Sequence, residues 1–322
     1  MRALVCGASG QDGADLCQFL LKKGYEVIGT SRDAQVGQFS NLHKLKIAKD
    51  IQPASMAVSD FRSVFSTIKR FNPDEVYNLT GQTSVNLSFD QPVESIDSIS
   101  IGTLNLLEVI RLHNTKIRFY NAGSSECFGS AKKGVKFTEQ SAYDPKSPYG
   151  VAKSAAAMLV KNYRESYGIF ASTGILFNHE SPLRPDRFVT KKIVNAALRI
   201  SQGSKEKLEL GNIDIYRDWG WAPEYVEAMW KILQTKKPDD YVIATGRSES
   251  LRYFASQAFK YFGLDLKKYL KINQQFFRPS EIFYSCGDAS KAHQSLKWKA
   301  KTDIDGVIKN LCSAAQSSTQ NL

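Results

Sequence analysis

The sequence predicts an α/β fold, a doubly wound parallel sheet with a smaller substrate-binding region interleaved after it. Three observations carry this. A short apolar strand runs directly into a turn with glycines at every third position, and that turn opens a helix. Strand and helix patterns then alternate as far as residue 177. Beyond that point the alternation loosens into loops and short helices.

Taken in order, residues 2–6 read as a short buried strand, followed by Gly7, Gly10 and Gly13. Residues 14–23 carry apolar positions at helical spacing until Gly24 stops them, and 25–30 form a second strand. Together these make a βαβ unit. Residues 64–71 read as a helix, 75–79 as a strand, 93–113 as a long helix and 117–122 as a strand. A second long helix covers 147–167 and another strand 171–177. Such repetition implies helices on both faces of a parallel sheet, the Rossmann-type arrangement. Residues 1–177 are therefore expected to bind a dinucleotide. Residues 178–322 are expected to form mainly the substrate-binding region, with helices at 191–202 and 224–235 and some segments returning to the first domain. The polar stretch 313–322 reads as frayed.

Composition narrows the class. Of the 322 residues, 42% are apolar and 23% charged, which is ordinary for a soluble globular chain with a substantial core. Apolar runs such as residues 3–6 fall far short of the roughly 20 residues of a membrane span. The first residues enter a strand pattern at once, leaving no room for a signal peptide. The five cysteines lack the spacing of a metal site, so no metal is expected, and reduced thiols in the cytoplasm are the simple reading. The net charge of +11 is spread along the chain without a nucleic-acid motif, which favours an anionic small ligand over nucleic acid.

Glycine at 7, 10 and 13 lets the backbone turn sharply and approach a pyrophosphate at a helix N-terminus, where amide groups and the dipole favour anions. The competing reading is a structural turn alone. After the second strand stands Arg32 rather than an acidic residue, which suits the 2′-phosphate of NADP, although Asp33 beside it leaves NAD open. The expected cofactor contacts are Gly7, Ser9, Gly10, Gln11, Asp12, Gly13, Arg32, Leu79, Tyr149 and Lys153. Tyr149 and Lys153 lie four apart, on one face of the second long helix. A lysine cation beside a phenol favours phenolate and would lower its pKa, making a base for a hydroxyl proton. By itself this spacing is also common on ordinary exposed helices.

The glycine turn, Ser124-Ser125-Glu126 and the Tyr149/Lys153 pair together resemble the extended short-chain dehydrogenase/reductase superfamily. Longer strings resemble its nucleotide-sugar dehydratase branch, in particular the GDP-mannose 4,6-dehydratase family. These strings include residues 10–13, 77–79 with Gln82, and 147–153. Further along come Asn178-His179-Glu180-Ser181-Pro182, Arg217-Asp218-Trp219-Gly220 and Phe277-Arg278-Pro279-Ser280-Glu281. The match runs in order over nearly the whole chain. It implies C4 oxidation of a GDP-sugar with NADP, loss of water across C5 and C6, and return of hydride to C6. Ser124, Glu126, Tyr149 and Lys153 take the catalytic positions, with Glu126 similar to the family's base at C5. A solvated loop carboxylate is the competing reading for Glu126. Gln82, Ser84, Asn178, Lys192, Arg217, Arg278 and Glu281 match substrate contacts. Arg217 and Lys192 suit a diphosphate, and Arg278 with Glu281 the nucleoside end, unless the last two are merely a surface ion pair. His179 reads as a structural histidine. The family resemblance also implies a homo-oligomer, dimer or tetramer, joined through the two long helices.

Some positions depart from the family pattern: Ala57 near the adenine end, Pro185, Trp221, and the stretch 33–39 after Arg32. Another GDP-sugar such as a heptose, and an epimerase or 4-reductase on the same fold, therefore stand as alternatives. A non-catalytic nucleotide-binding regulator is the least favoured.

Overall fold

In a computed structural model, which describes residues 1–36 and 39–320, thirteen strands can be followed. The first six are β1 (Arg2–Cys6), β2 (Glu26–Ser31), β3 (Gln52–Ser55), β4 (Glu75–Asn78), β5 (Arg118–Ser124) and β6 (Ala171–Leu176). Then come β7 (Asn178–Glu180), β8 (Leu208–Leu210), β9 (Tyr216–Arg217), β10 (Trp219–Trp221), β11 (Tyr241–Ile243), β12 (Glu249–Ser250) and β13 (Leu270–Ile272). The main sheet has seven strands in the order β11-β6-β5-β4-β1-β2-β3, and all its pairings are parallel. The order reverses between β1 and β4, the kind of crevice at which doubly wound sheets bind ligands.

The alternation of strand side chains divides the core. Ala3 and Val5 pack with Tyr77, Tyr120 and helices Gln11–Lys22 and Ala222–Leu233 on one face. Leu4 and Cys6 pack with Ile28, Val76, Phe119 and helices Phe61–Phe71 and Gly102–His113 on the other. Both sets are fully buried in β1, which explains its unbroken apolar run. A separate core under the substrate-binding side joins Val194, Ile215, Phe254, Phe259 and Leu311.

Two expectations are corrected. The long helix over 93–113 is broken into Pro92–Ile96, a π-helical turn Asp97–Ile101 and Gly102–His113. Residues 313–320 are not frayed but close a helix, Ile304–Gln320, whose Val307, Leu311 and Cys312 are buried. Strand β3 had no clear signal because it contains Pro53 and buries only Ala54 as an edge strand. Among the loops and short helices expected after residue 178, helix Leu251–Tyr261 comes in addition to the two foreseen, and its Phe254 and Phe259 lie in the core. Of the departing stretch 33–39, positions 37 and 38 lie outside the described residues, as do 321 and 322.

Candidate active site

One cavity of about 1130 Å³ opens at the carboxyl ends of the central strands. Cavities for a single small ligand run to roughly 300–1,000 Å³, so this one has room for two. All nineteen residues predicted from sequence as contacts or catalytic groups border it.

At one end lies the glycine turn. Gly7 adopts φ +86°, and a Cβ there would stand 2.8 Å from the Leu79 carbonyl oxygen. A Cβ on Gly13 would stand 2.2 Å from the Gly7 oxygen. The helix Gln11–Lys22 starts at Gly10 with no side-chain cap, so its first amides are aimed into the cavity without a competing acceptor. These features fit a dinucleotide pyrophosphate. The Asp12 carboxylate turns away to His179, whose Nε2 lies 2.8 Å from it, while Nδ1 contacts the Phe177 carbonyl at 2.7 Å. Burial opposes ionisation of Asp12, but the His179 charge and hydrogen bond outweigh it and hold the carboxyl at about 2. His179 is itself raised: burial acts downward and the Asp12 charge overcomes it. It stacks on Tyr225 at 4.6 Å and serves the structure. One helical turn on, Asp15 is buried with Oδ2 unpartnered. Burial, with the charge of Asp12 added, pushes its carboxyl up to about 7. Ser9 fixes the loop by accepting from Asn41 at 3.1 Å. Arg32, beyond β2, is exposed and pairs with Glu94 at 2.8 Å.

The residues expected to be catalytic gather where β5 ends. Ser124 caps the 3₁₀ turn Ser125–Cys127, its oxygen accepting the Glu126 amide at 3.3 Å. Its hydroxyl proton is left to donate to the Tyr149 phenol. Ser147 caps helix Pro148–Tyr167 by accepting from Gly150 at 3.0 Å, with Pro148 preset for the first turn. That helix brings Tyr149 and Lys153 to the cavity wall. The expectation that Lys153 lowers the phenol is corrected. Burial raises the Tyr149 pKa, and the bond from Ser124 only partly opposes it. The Lys153 Nζ lies 5.8 Å from the phenol ring centre and donates instead to the Ala122 carbonyl at 2.7 Å. Burial also brings the ammonium down to about 8. A buried carbonyl at the strand end satisfies the ammonium better than a more distant neutral phenol.

Farther out the substrate candidates form an ion-pair chain. Arg217 is 4% exposed, donates to the Ile282 carbonyl at 2.7 Å and pairs with Glu281 at 3.1 Å. Burial lowers its pKa, opposed chiefly by the charge of Glu126. Arg278 lies 3.6 Å from Glu281 and 3.8 Å from Glu126, so this pair faces the cavity rather than solvent. Lys192 donates to the Glu209 carbonyl at 2.7 Å and sits 4.4 Å over the Phe276 ring. Gln82 and Ser84 bond each other: Gln82 Nε2 donates to the Ser84 carbonyl at 2.7 Å, and the Ser84 amide donates to Gln82 Oε1. Asn178 opens β7, opposite Trp219 of β10.

Several cavity residues escaped the sequence reading. Glu180 is buried, accepts from Thr190 at 2.8 Å and lies 3.4 Å from Arg184, whose guanidinium covers Phe188 at 3.8 Å. The Asn178 string contained Glu180, so a buried carboxylate two residues on could have been weighed. Asn86, which accepts from Arg278 Nε at 2.9 Å, carried no signal. Behind the cavity wall rather than on it, Asp218, in the Arg217 string, is buried and accepts from the Thr245 hydroxyl at 2.6 Å and the amides of Thr245 and Gly246 at 2.9 Å. Among the described residues no cluster suits a metal ion, and no helix is long and apolar enough to cross a membrane.

A sequence model of the family described as GDP-mannose 4,6 dehydratase matches residues 4–311. GDP-mannose 4,6 dehydratase 1 of Arabidopsis thaliana is 44% identical, over 95% of this chain and 87% of its own length. The GDP-mannose 4,6-dehydratase of Sinorhizobium fredii is 39% identical over 94% and 93%, and the human protein of that name 36% identical over 97% and 90%. Among solved structures, a dTDP-glucose 4,6-dehydratase from Bacillus anthracis in complex with NAD superposes with a TM-score of 0.86 at 19% identity, covering 99% of this chain and 98% of that one. A Thermus thermophilus UDP-glucose 4-epimerase complexed with NAD gives 0.86 at 23%, over 99% and 100%. At those identities the structures speak for the fold alone; the sequence matches are far closer and span nearly the whole chain, and by them the chain belongs to the GDP-mannose 4,6-dehydratase family.

Proposed function

We infer that this chain is a GDP-mannose 4,6-dehydratase, forming GDP-4-keto-6-deoxy-mannose with loss of water. The observation that carries the reading is a second proton-handling group in the cavity. Glu126 lies on the turn that begins at Ser124, close enough for its charge to act on the Tyr149 phenol. Epimerisation or C4 reduction needs the phenol alone, whereas elimination needs a second acid/base.

In its phenolate form, which the hydrogen bond from Ser124 favours against burial, Tyr149 takes the C4 hydroxyl proton. Lys153, anchored on Ala122, places a positive charge beneath that group. A nicotinamide dinucleotide bound along the glycine turn would supply the hydride acceptor for C4 and the donor for C6. The ketone so formed at C4 acidifies the C5 proton, Glu126 removes it, and the same carboxyl then protonates the departing C6 hydroxyl; the proton that Tyr149 took goes to C5 when hydride returns to C6. Gln82, Ser84 and Asn178 border the sugar, and Lys192, Arg217, Arg278 and Glu281 hold the GDP portion. Arg32 supports NADP over NAD, since its exposed guanidinium, paired with Glu94 at 2.8 Å, stands on the outer side where a 2′-phosphate could take the place of that carboxylate. Residues 1–177 act as the cofactor domain and 178–322 mainly as the substrate-binding region. Exposed Val93, Ile101, Val151 and Met158 on the helices at 92–113 and 148–167 support assembly with further copies there.

The test is purified protein with GDP-mannose and catalytic NADP. A keto-deoxy sugar without net NADPH consumption is expected; net oxidation of NADPH with substrate would sink the reading. Tyr149→Phe should abolish C4 oxidation. Glu126→Gln should allow the cofactor to be reduced once and then stall.

A further inference from the structure

Arg278 touches more than the nucleotide end. Its Nη1 lies 3.8 Å from Glu126 Oε1 and 3.6 Å from Glu281 Oε1, and its Nε donates to Asn86 Oδ1 at 2.9 Å. Glu281 in turn pairs with Arg217 at 3.1 Å. The four charged groups thus form a chain, Arg217–Glu281–Arg278–Glu126, with two cations and two anions. All four are largely shielded, with side-chain exposures of 5%, 13%, 24% and 13% respectively. In such surroundings ion pairs are screened much less than at an open surface. Glu126 lies on a short turn whose cap is Ser124, and the turn fixes its backbone. The carboxylate itself has Arg278 as its ion-pair partner among the described residues. The guanidinium is planar, so where Asn86 holds Nε decides where the Nη edge points.

We propose that Arg278 is a positioning residue for Glu126 and that Asn86 sets its aim. The group that holds the nucleotide end thereby also places the base at C5. The inference rests on the dehydratase reading and deepens it. Filling the nucleotide subsite and orienting the base become one event, because a single guanidinium serves both. A plain nucleotide contact would serve binding alone. Arg278 contributes instead to the C5 step, and a misplacement of about 1 Å at such a group can cost on the order of a hundredfold in rate.

The experiment compares wild type, Arg278→Met, Arg278→Lys and Asn86→Ala, each with bound NADP and saturating GDP-mannose, protonated or deuterated at C5. For Arg278→Met we expect kcat to fall by between about tenfold and a hundredfold. A C5 isotope effect should appear on kcat, and reduced cofactor should accumulate, since C4 oxidation still proceeds. Lysine restores the charge without the fork and should rescue KM more than kcat. Asn86→Ala keeps every charge and should show the same isotope effect with a smaller fall in kcat and little change in KM. A rise in KM alone, with kcat and the isotope effect at wild-type values, would overturn the proposal. If Arg278→Met does not fold by thermal melting, Asn86→Ala decides in the same way. Wild type that makes no keto-deoxy sugar would instead overturn the dehydratase reading itself.

Discussion

Asp15 gives a stability prediction that can be worked from its surroundings. It is 9% exposed on the helix that carries the glycine turn, with Oδ2 unpartnered. Burial and the nearby Asp12 charge lift its carboxyl from 3.8 to about 7. The folded value lies above the unfolded one, so the group favours the folded state fully only below about pH 4. Between that point and pH 7 the folded chain holds a proton that the unfolded chain has released, and stability falls as pH rises. A gap of about 3 units at 1.36 kcal/mol each gives at most about 4 kcal/mol lost by pH 8. Coupling to Asp12 makes about 2–4 kcal/mol the expected range. Asn is close in shape to the protonated acid and does not titrate. Asp15→Asn should therefore match wild type near pH 4.5 and exceed it at pH 8, by about 5 °C or more in Tm. Thermal melts of both proteins across that range test it. A difference in Tm that stays flat with pH would refute the argument, because then no buried proton separates the two.

The other predictions concern the cavity. Gly13→Ala puts a methyl 2.2 Å from the Gly7 oxygen and 2.7 Å from the Ala8 Cα, backbone atoms that cannot swing aside as a side chain would. It should cost about 1–3 kcal/mol in urea unfolding and weaken dinucleotide binding, as read by fluorescence titration; unchanged affinity would show that the turn does not hold the pyrophosphate. Arg32→Ala should reduce NADP affinity by about tenfold while leaving NAD nearly unchanged, since one exposed phosphate contact is removed; equal loss for both would remove Arg32 as the selector. Asp218→Asn turns an amide donor toward either the Thr245 amide, which donates to Oδ1, or the Gly246 amide, which donates to Oδ2, costing about 2–3 kcal/mol of stability. Because Asp218 adjoins Arg217, GDP affinity measured by calorimetry should fall while dinucleotide affinity holds.

Much of the fold was legible because its signals are local. Gly7, Gly10 and Gly13 after an apolar strand announce a βαβ start, and strand-helix alternation to residue 177 implies a parallel sheet. What failed depended on partners far away in sequence. Residues 313–320, the end of helix Ile304–Gln320, read as a polar tail because the apolar positions that face the core, Val307 and Leu311, lie before them, and the surface these cover comes from the distant helices Val189–Ser201 and Leu251–Tyr261. The break at Asp97–Ile101 arises within an alternation of polar and apolar residues, Asp97-Ser98-Ile99-Ser100-Ile101, that gives no warning of a changed helical pitch. In the site, residue types and spacing named the groups but not their aim. The four-residue spacing brought Lys153 to the correct wall, yet the Ala122 carbonyl, supplied by β5, accepts its hydrogen bond. The approach of Arg278 to Glu126 joins positions 152 apart in the chain and has no signature in either segment.

The threading of the chain limits how the molecule can move. After residue 177 it leaves the sheet, comes back as helix Ala222–Leu233 against helix Gln11–Lys22 and as β11 beside β6, and leaves again. Trp230 donates to Tyr25 at 3.0 Å and lies 5.8 Å from Phe19, so the returning helix is keyed into the first βαβ unit. A pair of lobes joined by several crossings has no single hinge about which to swing. Admission and release of a nucleotide sugar must then be local, a matter for segments such as 273–283, whose Phe276, Phe277 and Phe283 stand half in solvent. Cutting the chain at 177 would strip a strand and a helix from the cofactor half, so neither half is a separable part.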